Sequence, residues 1–262
     1  MRLNIRDLSS DIQTLLELRD NLQVTIDALR LCEDNLDWTR DLAHANTTGY
    51  ALCFGVSFLN ICLRRPERVE LAAREAIKLA EDNSMANWHA FAQVHLGWAL
   101  LQQGTSSGIE EIEAGLREAS AIGAGRFVPL HLSIAAEAHS HAGNHGEARL
   151  RIAKAFDALA HGQDMAFAAE LHRMRAGLLL RAGADERDAA EGDLRMALQI
   201  AGQQESPSLK LRAARDLARL SAERGERQQA ADLLAPIYAG FTEGFDTLDL
   251  KEARALLDEL HA

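Results

Sequence analysis

No uninterrupted apolar run in the sequence approaches the roughly eighteen residues that a membrane-spanning helix needs. No basic N-terminal region leads into an apolar stretch with a small-residue cleavage site. Membrane insertion and secretion are therefore not expected, and the expected compartment is the cytoplasm. Cysteine is scarce, with only Cys32, Cys53 and Cys62. If Cys53 and Cys62 share a helix they stand about 13 Å apart along its axis, about twice the reach of a disulfide, so free thiols are expected. Positive charge is in the minority: 28 Lys and Arg against 39 Asp and Glu give a net charge of -11, whose field repels a phosphate backbone, and nucleic acid is not an expected partner.

Catalytic signatures are missing as well. Gly123-Ala124-Gly125 begins like a dinucleotide loop, but Val128 stands where the third glycine belongs, no strand precedes it, and no Gly-Lys-Ser or Gly-Lys-Thr occurs, so the segment reads as a turn between helices. His131, His139, His141 and His145 cluster, and His141 and His145 have the spacing of two metal ligands on one helix. Gly143-Asn144 interrupts that helix, and the four read as polar residues near a turn. His172 lacks the second histidine of a zinc-protease helix, and no Gly-x-Ser-x-Gly elbow is present. No enzyme activity, cofactor or metal is expected.

The chain is instead rich in small and aliphatic residues, with 47% hydrophobic residues but only 5% aromatic, a balance suited to helices that approach closely. A small or apolar pair recurs at Ala76-Ile77, Gly115-Leu116, Ala155-Phe156, Ala197-Leu198 and Ile237-Tyr238, at steps of 39, 40, 42 and 40 residues. A period near forty means one helix-turn-helix unit per repeat, each burying its apolar side against its neighbours. Gly104, Gly143, Gly183 and Gly225 each follow the last apolar turn of a first helix, and a second amphipathic helix begins shortly after. Tyr50 to Leu63 reads as the first helix of an earlier unit, Pro66 opens its second, and Ser206-Pro207 reads as a cap followed by the first helical position. Pro236 falls inside an apolar pattern and is expected to bend its helix.

The predicted fold is all-α: a right-handed α-solenoid of about six antiparallel helix pairs, forming a single domain over residues 1–262. Residues 1–40 are an irregular N-terminal repeat. Residues 246–262 form a closing helix, with Asp246 or Thr247 as its cap and Ala253, Leu256, Leu257 and Leu260 on one stripe. In the N-terminal segment Leu8, Ile12, Leu15, Leu22, Ile26 and Leu29 nearly keep a heptad, which admits a coiled-coil dimer. Asp20-Asn21 can equally cap a new helix and make another repeat hairpin anchored by Ala28-Leu29. An incomplete first unit directly after Met1 suggests a fragment of a longer protein.

Leu96-Gly97 with Leu100 and Gly104, and Gly225 with Ala230, Leu234 and Ile237, resemble the tetratricopeptide pattern, although the period is longer than that family's thirty-four or so residues. Forty-residue pairs resemble the sensor superhelices of large bacterial signalling ATPases, including the maltose-type transcription activators. Leu234-Ala235-Pro236-Ile237-Tyr238, running into Phe241 to Thr247, resembles the C-terminal region of multidomain bacterial proteins that join a nucleotide cyclase or winged-helix domain to an ATPase and a helical array. The resemblance implies a signalling or regulatory module without catalytic residues of its own.

Two kinds of partner follow: a protein or peptide on the concave surface, including upstream domains of the same parent protein, or a small effector. Arg212, Arg215 and Arg219 form a stripe at i, i+3 and i+7. It reads either as a solvated face or, by the family pattern, as groove-lining residues that grip carboxylates in a forked geometry. Arg173, Glu137 and His141 occupy matching positions in earlier repeats. Trp98 falls on a concave-side position of that pattern and reads equally as groove lining or as core, and Trp88 reads as core. Alanine at both Arg215 and Arg219 is expected to leave folding nearly intact.

Overall fold

The computed structural model describes residues 22–124, 127–161 and 165–262. Among them are twelve helices packed in adjacent pairs, and no strand. Helix α1 is Leu22–Asp41. Helix α2 is a continuous run of α-helix Ala45–Tyr50, a π-helical stretch Ala51–Ser57 and α-helix Phe58–Cys62. Then come α3 (Pro66–Asp82), α4 (Ala86–Gln102), α5 (Gly108–Ala121), α6 (Val128–His141), α7 (His145–Ala160) and α8 (Ala168–Ala182). The series ends with α9 (Arg187–Gln203), α10 (Pro207–Glu223), α11 (Arg227–Ala239) and α12 (Leu248–His261).

Five pairs, α2/α3 to α10/α11, are thus flanked by α1 and α12. The sixth pair expected at the N-terminus, and the alternative heptad, fall largely on residues outside the described ones. Within each pair the apolar spacing decides which face turns inward. In α3, Val69, Ala72, Ala73, Ala76 and Ala80 are buried at intervals of three and four, behind a proline in the first turn. The α4/α5 pair packs most closely: a Cβ on Gly97 would meet the Gly108 carbonyl oxygen at 2.4 Å, and one on Gly115 would meet that of Ala90 at 2.6 Å. The absent side chains let the two backbones touch.

The turns at Gly104, Gly143 and Gly225 take the left-handed conformation, with φ of 82°, 78° and 87°. At the corresponding turn between α2 and α3 the residue is Arg64, with φ of 56°. Ser206 stands at the N-cap of α10, but its hydroxyl makes no capping bond and is buried without a partner. The Thr247 hydroxyl turns away from α12 and donates to the Gly244 carbonyl at 2.6 Å. Pro236 lies inside α11, which runs on to Ala239.

The few aromatic rings are concentrated. Phe54 stacks on Phe127 at 4.1 Å and meets Tyr50, Trp88 and Phe91, while Phe58 and Phe127 both reach Phe167. Trp88 is buried in this cluster, and its indole N–H donates to Asn46 Oδ1 at 2.6 Å. The π-helical stretch was not expected from the sequence. Every residue from Leu52 to Asn60 is buried, because α1, α3 and α4 all pack against this part of α2. A segment covered on all sides shows no periodicity from which its helical pitch could be read.

Candidate ligand cavity

The first helices of successive pairs stack on one another: α4 on α6, α6 on α8, α8 on α10, and α10 on α12. They line a partly open cavity of about 460 Å³. One wall, from α2, α4 and α6, is mainly apolar and carries Phe58, Ile61, Trp98, Leu130 and Ile134, with Ser133 and Glu137 also on α6; Phe167 and Met174 extend it. The opposite wall, from α8, α10 and the start of α12, carries Glu170, Arg173, Arg212, Arg215, Asp216 and Asp249. Gln102, His141 and Arg181 lie exposed at its edge.

The charged wall is built by helical phase. In α10 the side chains of Leu211, Ala214, Leu217 and Ala218 are buried among the neighbouring helices, which turns Arg212 and Arg215 to the cavity. Arg173 grips Glu170 through Nε and Nη2, at 3.0 and 2.7 Å, and donates from Nη1 to Asp216 at 2.8 Å. Arg215 donates to Asp216 from Nε and Nη2, at 3.0 and 2.8 Å, and to Glu252 from Nη1. Arg212 Nε donates to Asp249 at 2.7 Å, and its Nη2 donates to the carbonyl of Cys62. Cys62 is the last residue of α2, where a helix end leaves carbonyls without partners and carries partial negative charge. Arg64, in the turn that follows, reaches Glu252 at 2.8 Å and Asp249 at 3.5 Å. The end of the first pair is thus joined to the last helix.

Burial alone raises the pKa of Glu170, but Arg173, Arg212 and Arg215 override it and hold the carboxyl at about 2. Asp216 follows the same pattern: burial raises it, and Arg173 and Arg215 bring it below the usual carboxylate range. Glu137 is raised by burial and lowered overall by His141 and Arg173; His141 Nε2 lies 3.9 Å from its carboxylate. The wall is therefore an ionised network in which donors and acceptors meet.

Of the residues singled out from sequence, Trp98, Glu137, His141, Arg173, Arg212 and Arg215 all line this cavity. Arg219 does not; it is exposed. Seven residues return it to nearly the same face as Arg212 but carry it about 10 Å further along the axis. Arg215 is not solvated: it is 8% exposed and ringed by Asp216, Asp249 and Glu252.

The histidine cluster also needs correction. His131 is buried within α6, with Nε2 3.3 Å from His95 Nε2, and His139 is buried against Glu113 at 3.0 Å. His139 and His141 are in the last turn of α6 and His145 opens α7, so only His131 lies away from the turn. His172 packs outside the cavity on Asp193, at 2.8 Å. Glu170, Asp216, Asp249, Glu252 and Arg64 were not singled out as site residues. The only sequence signal among them is Arg64 in the place where later repeats carry glycine.

No protein-family model matches this chain, and no curated protein does.

Proposed function

We propose that the chain is a non-catalytic regulatory module, a right-handed α-solenoid of the tetratricopeptide kind, that binds a small effector in the cavity between its first helices. The observation that carries this reading is the junction of Arg64 and Arg212 with Asp249, Glu252 and the end of α2, which bounds one side of the cavity. Its volume of about 460 Å³ falls within the range of roughly 300–1,000 Å³ typical of small-molecule sites. An apolar wall facing fixed polar groups is the usual composition of such sites. The resemblance of the tail to bacterial signalling ATPases and cyclases supports a cytoplasmic sensor role within such a protein.

The test is a thermal-shift screen of soluble metabolites against the chain and against Gly177→Leu. A ligand that binds only the folded state raises the melting temperature, by an amount that grows with the logarithm of its concentration above the dissociation constant. Gly177 lines the cavity in α8, so a leucine there fills the site without removing any binding group. A shift in the native chain that disappears in Gly177→Leu supports the reading. Capture of a protein partner that is indifferent to Gly177→Leu, with no metabolite response, replaces it with the protein-docking alternative.

A further inference from the structure

The cavity is lined by Arg64, Arg173, Arg181, Arg212 and Arg215 against Glu137, Glu170, Asp216 and Asp249. Four of these arginines are matched. Arg64, Arg212 and Arg215 answer Asp249, Arg173 and Arg215 answer Asp216, and Arg173 grips Glu170 and lowers Glu137. Glu252, just outside the lining, pairs with Arg64 and Arg215 as well, so five carboxylates answer these four; Arg181 is the lining arginine that none of them reaches. It stands exposed at the edge of the cavity, with no hydrogen bond or ion pair to any described residue. Its Nη1 lies 3.7 Å from where a Cβ of Gly177 would be, and nothing else comes within 4 Å of that point. A glycine in the interior of α8 weakens the helix relative to alanine and packs against no neighbour there. What the missing side chain provides is open wall next to an unanswered guanidinium.

We propose that the cavity accepts a compact amphiphile with a single carboxylate. Its head group is forked on Arg181 beside Gly177, and its apolar body lies against Phe58, Trp98, Ile134 and Phe167. This rests on the reading of the cavity as a small-effector site. A guanidinium presents paired donors that match the two oxygens of a carboxylate. The charge is single because Arg181 is the one lining guanidinium without a partner, the other four being already answered by five carboxylates. The apolar body follows from the facing wall, whose aromatic and branched side chains offer no charged partner.

The experiment is calorimetric titration of the whole chain with decanoate, decanol, decylammonium and decyl phosphate, each below its aggregation threshold. Decanoate should bind about tenfold or more tighter than decanol, decylammonium should bind most weakly, and decyl phosphate should not exceed decanoate. Arg181→Gln should abolish the preference of acid over alcohol while leaving decanol affinity unchanged. Arg181 is exposed and unpaired, so this variant keeps the fold, which circular dichroism checks. Equal affinity for acid and alcohol, an acid preference that survives Arg181→Gln, tighter binding of the phosphate, or no binding of any of the four overturns the proposal. If a metabolite binds in a Gly177→Leu-sensitive manner while decanoate does not, the ligand chemistry is wrong and the effector reading stands. If no compound binds in that manner, both fall.

Discussion

Arg64 Nη1 lies 2.8 Å from Glu252 Oε2 across 188 residues of sequence. Arg64 makes that contact from a left-handed backbone conformation, φ 56°, at a turn position that later repeats give to glycine. A side chain in that region carries a steric penalty of about 1–2 kcal/mol that glycine lacks. Ion pairs as open to solvent as this one are worth about 1 kcal/mol or less. The two effects oppose each other, so Arg64→Gly should leave stability in urea nearly unchanged. Arg64→Ala keeps the backbone penalty and loses the contact, and should be less stable than Arg64→Gly by about 1 kcal/mol. Equal midpoints for the two variants would show that the turn is unstrained.

Arg215 and Arg219 separate in a second prediction. Arg215→Ala leaves Asp216, Asp249 and Glu252 facing one another with a cation removed, and breaking a buried ion pair from one side costs about 3 kcal/mol or more. Arg219→Ala removes an exposed side chain and should change stability by no more than about 0.5 kcal/mol. Denaturation of the two single variants checks this. A destabilisation of Arg215→Ala as small as that of Arg219→Ala would mean that the network relaxes around the loss.

The contrast between these arginines shows what the sequence made legible. The hairpins were readable because their signals are local: apolar residues at three and four, prolines in first turns, and glycines at stops such as Gly104 and Gly225. The stripe on α10 was readable too, but it grouped Arg219 with Arg212 and Arg215 and left a solvated face and a groove lining open; only Arg212 and Arg215 reach the cavity. Neither the depth at which the cavity ends nor the curvature that brings Asp249 to Arg212 follows from spacing. Curvature accumulates from small rotations between successive pairs, so the Cys62 carbonyl and Arg212, 150 residues apart, meet with no motif to announce it. The carboxylates that neutralise the wall were unreadable for the same reason.

Glycines in the helix interiors divide by what surrounds them. A methyl on Gly97 would strike the Gly108 carbonyl and Ile112, forcing α4 and α5 apart, and Gly97→Ala should cost about 1–3 kcal/mol. Gly192 in α9 has nothing within 4 Å of a Cβ, and Gly192→Ala should add about 0.5–1 kcal/mol through helix propensity alone. Thermal denaturation of the two variants should shift in opposite directions. A stabilised Gly97→Ala would show that the pair can separate without loss.

Acid should weaken the fold first through two histidines. His95 and His131 are buried with their Nε2 atoms 3.3 Å apart, and the Ser57 hydroxyl is 3.0 Å from His95 Nδ1. One ring can donate to the other only if the acceptor nitrogen is unprotonated, so charging both sets two N–H groups against each other. Burial lowers the pKa of His95 to about 4, and burial together with His95 takes His131 well below its usual value. Both groups bind protons more readily in the unfolded chain. Their neutral forms therefore impose no penalty above about pH 6.5, and stability falls as the pH drops from there toward 4. His95 alone accounts for roughly 3 kcal/mol over that window, by linkage at about 1.4 kcal/mol per unit. Glu170, ionised in the fold down to about pH 2, adds its loss only below about 4.5. Urea midpoints between pH 7.5 and 5 should fall for the native chain, and the slope should flatten in a His95→Gln, His131→Gln double variant. An unchanged slope in that variant would locate the acid sensitivity elsewhere.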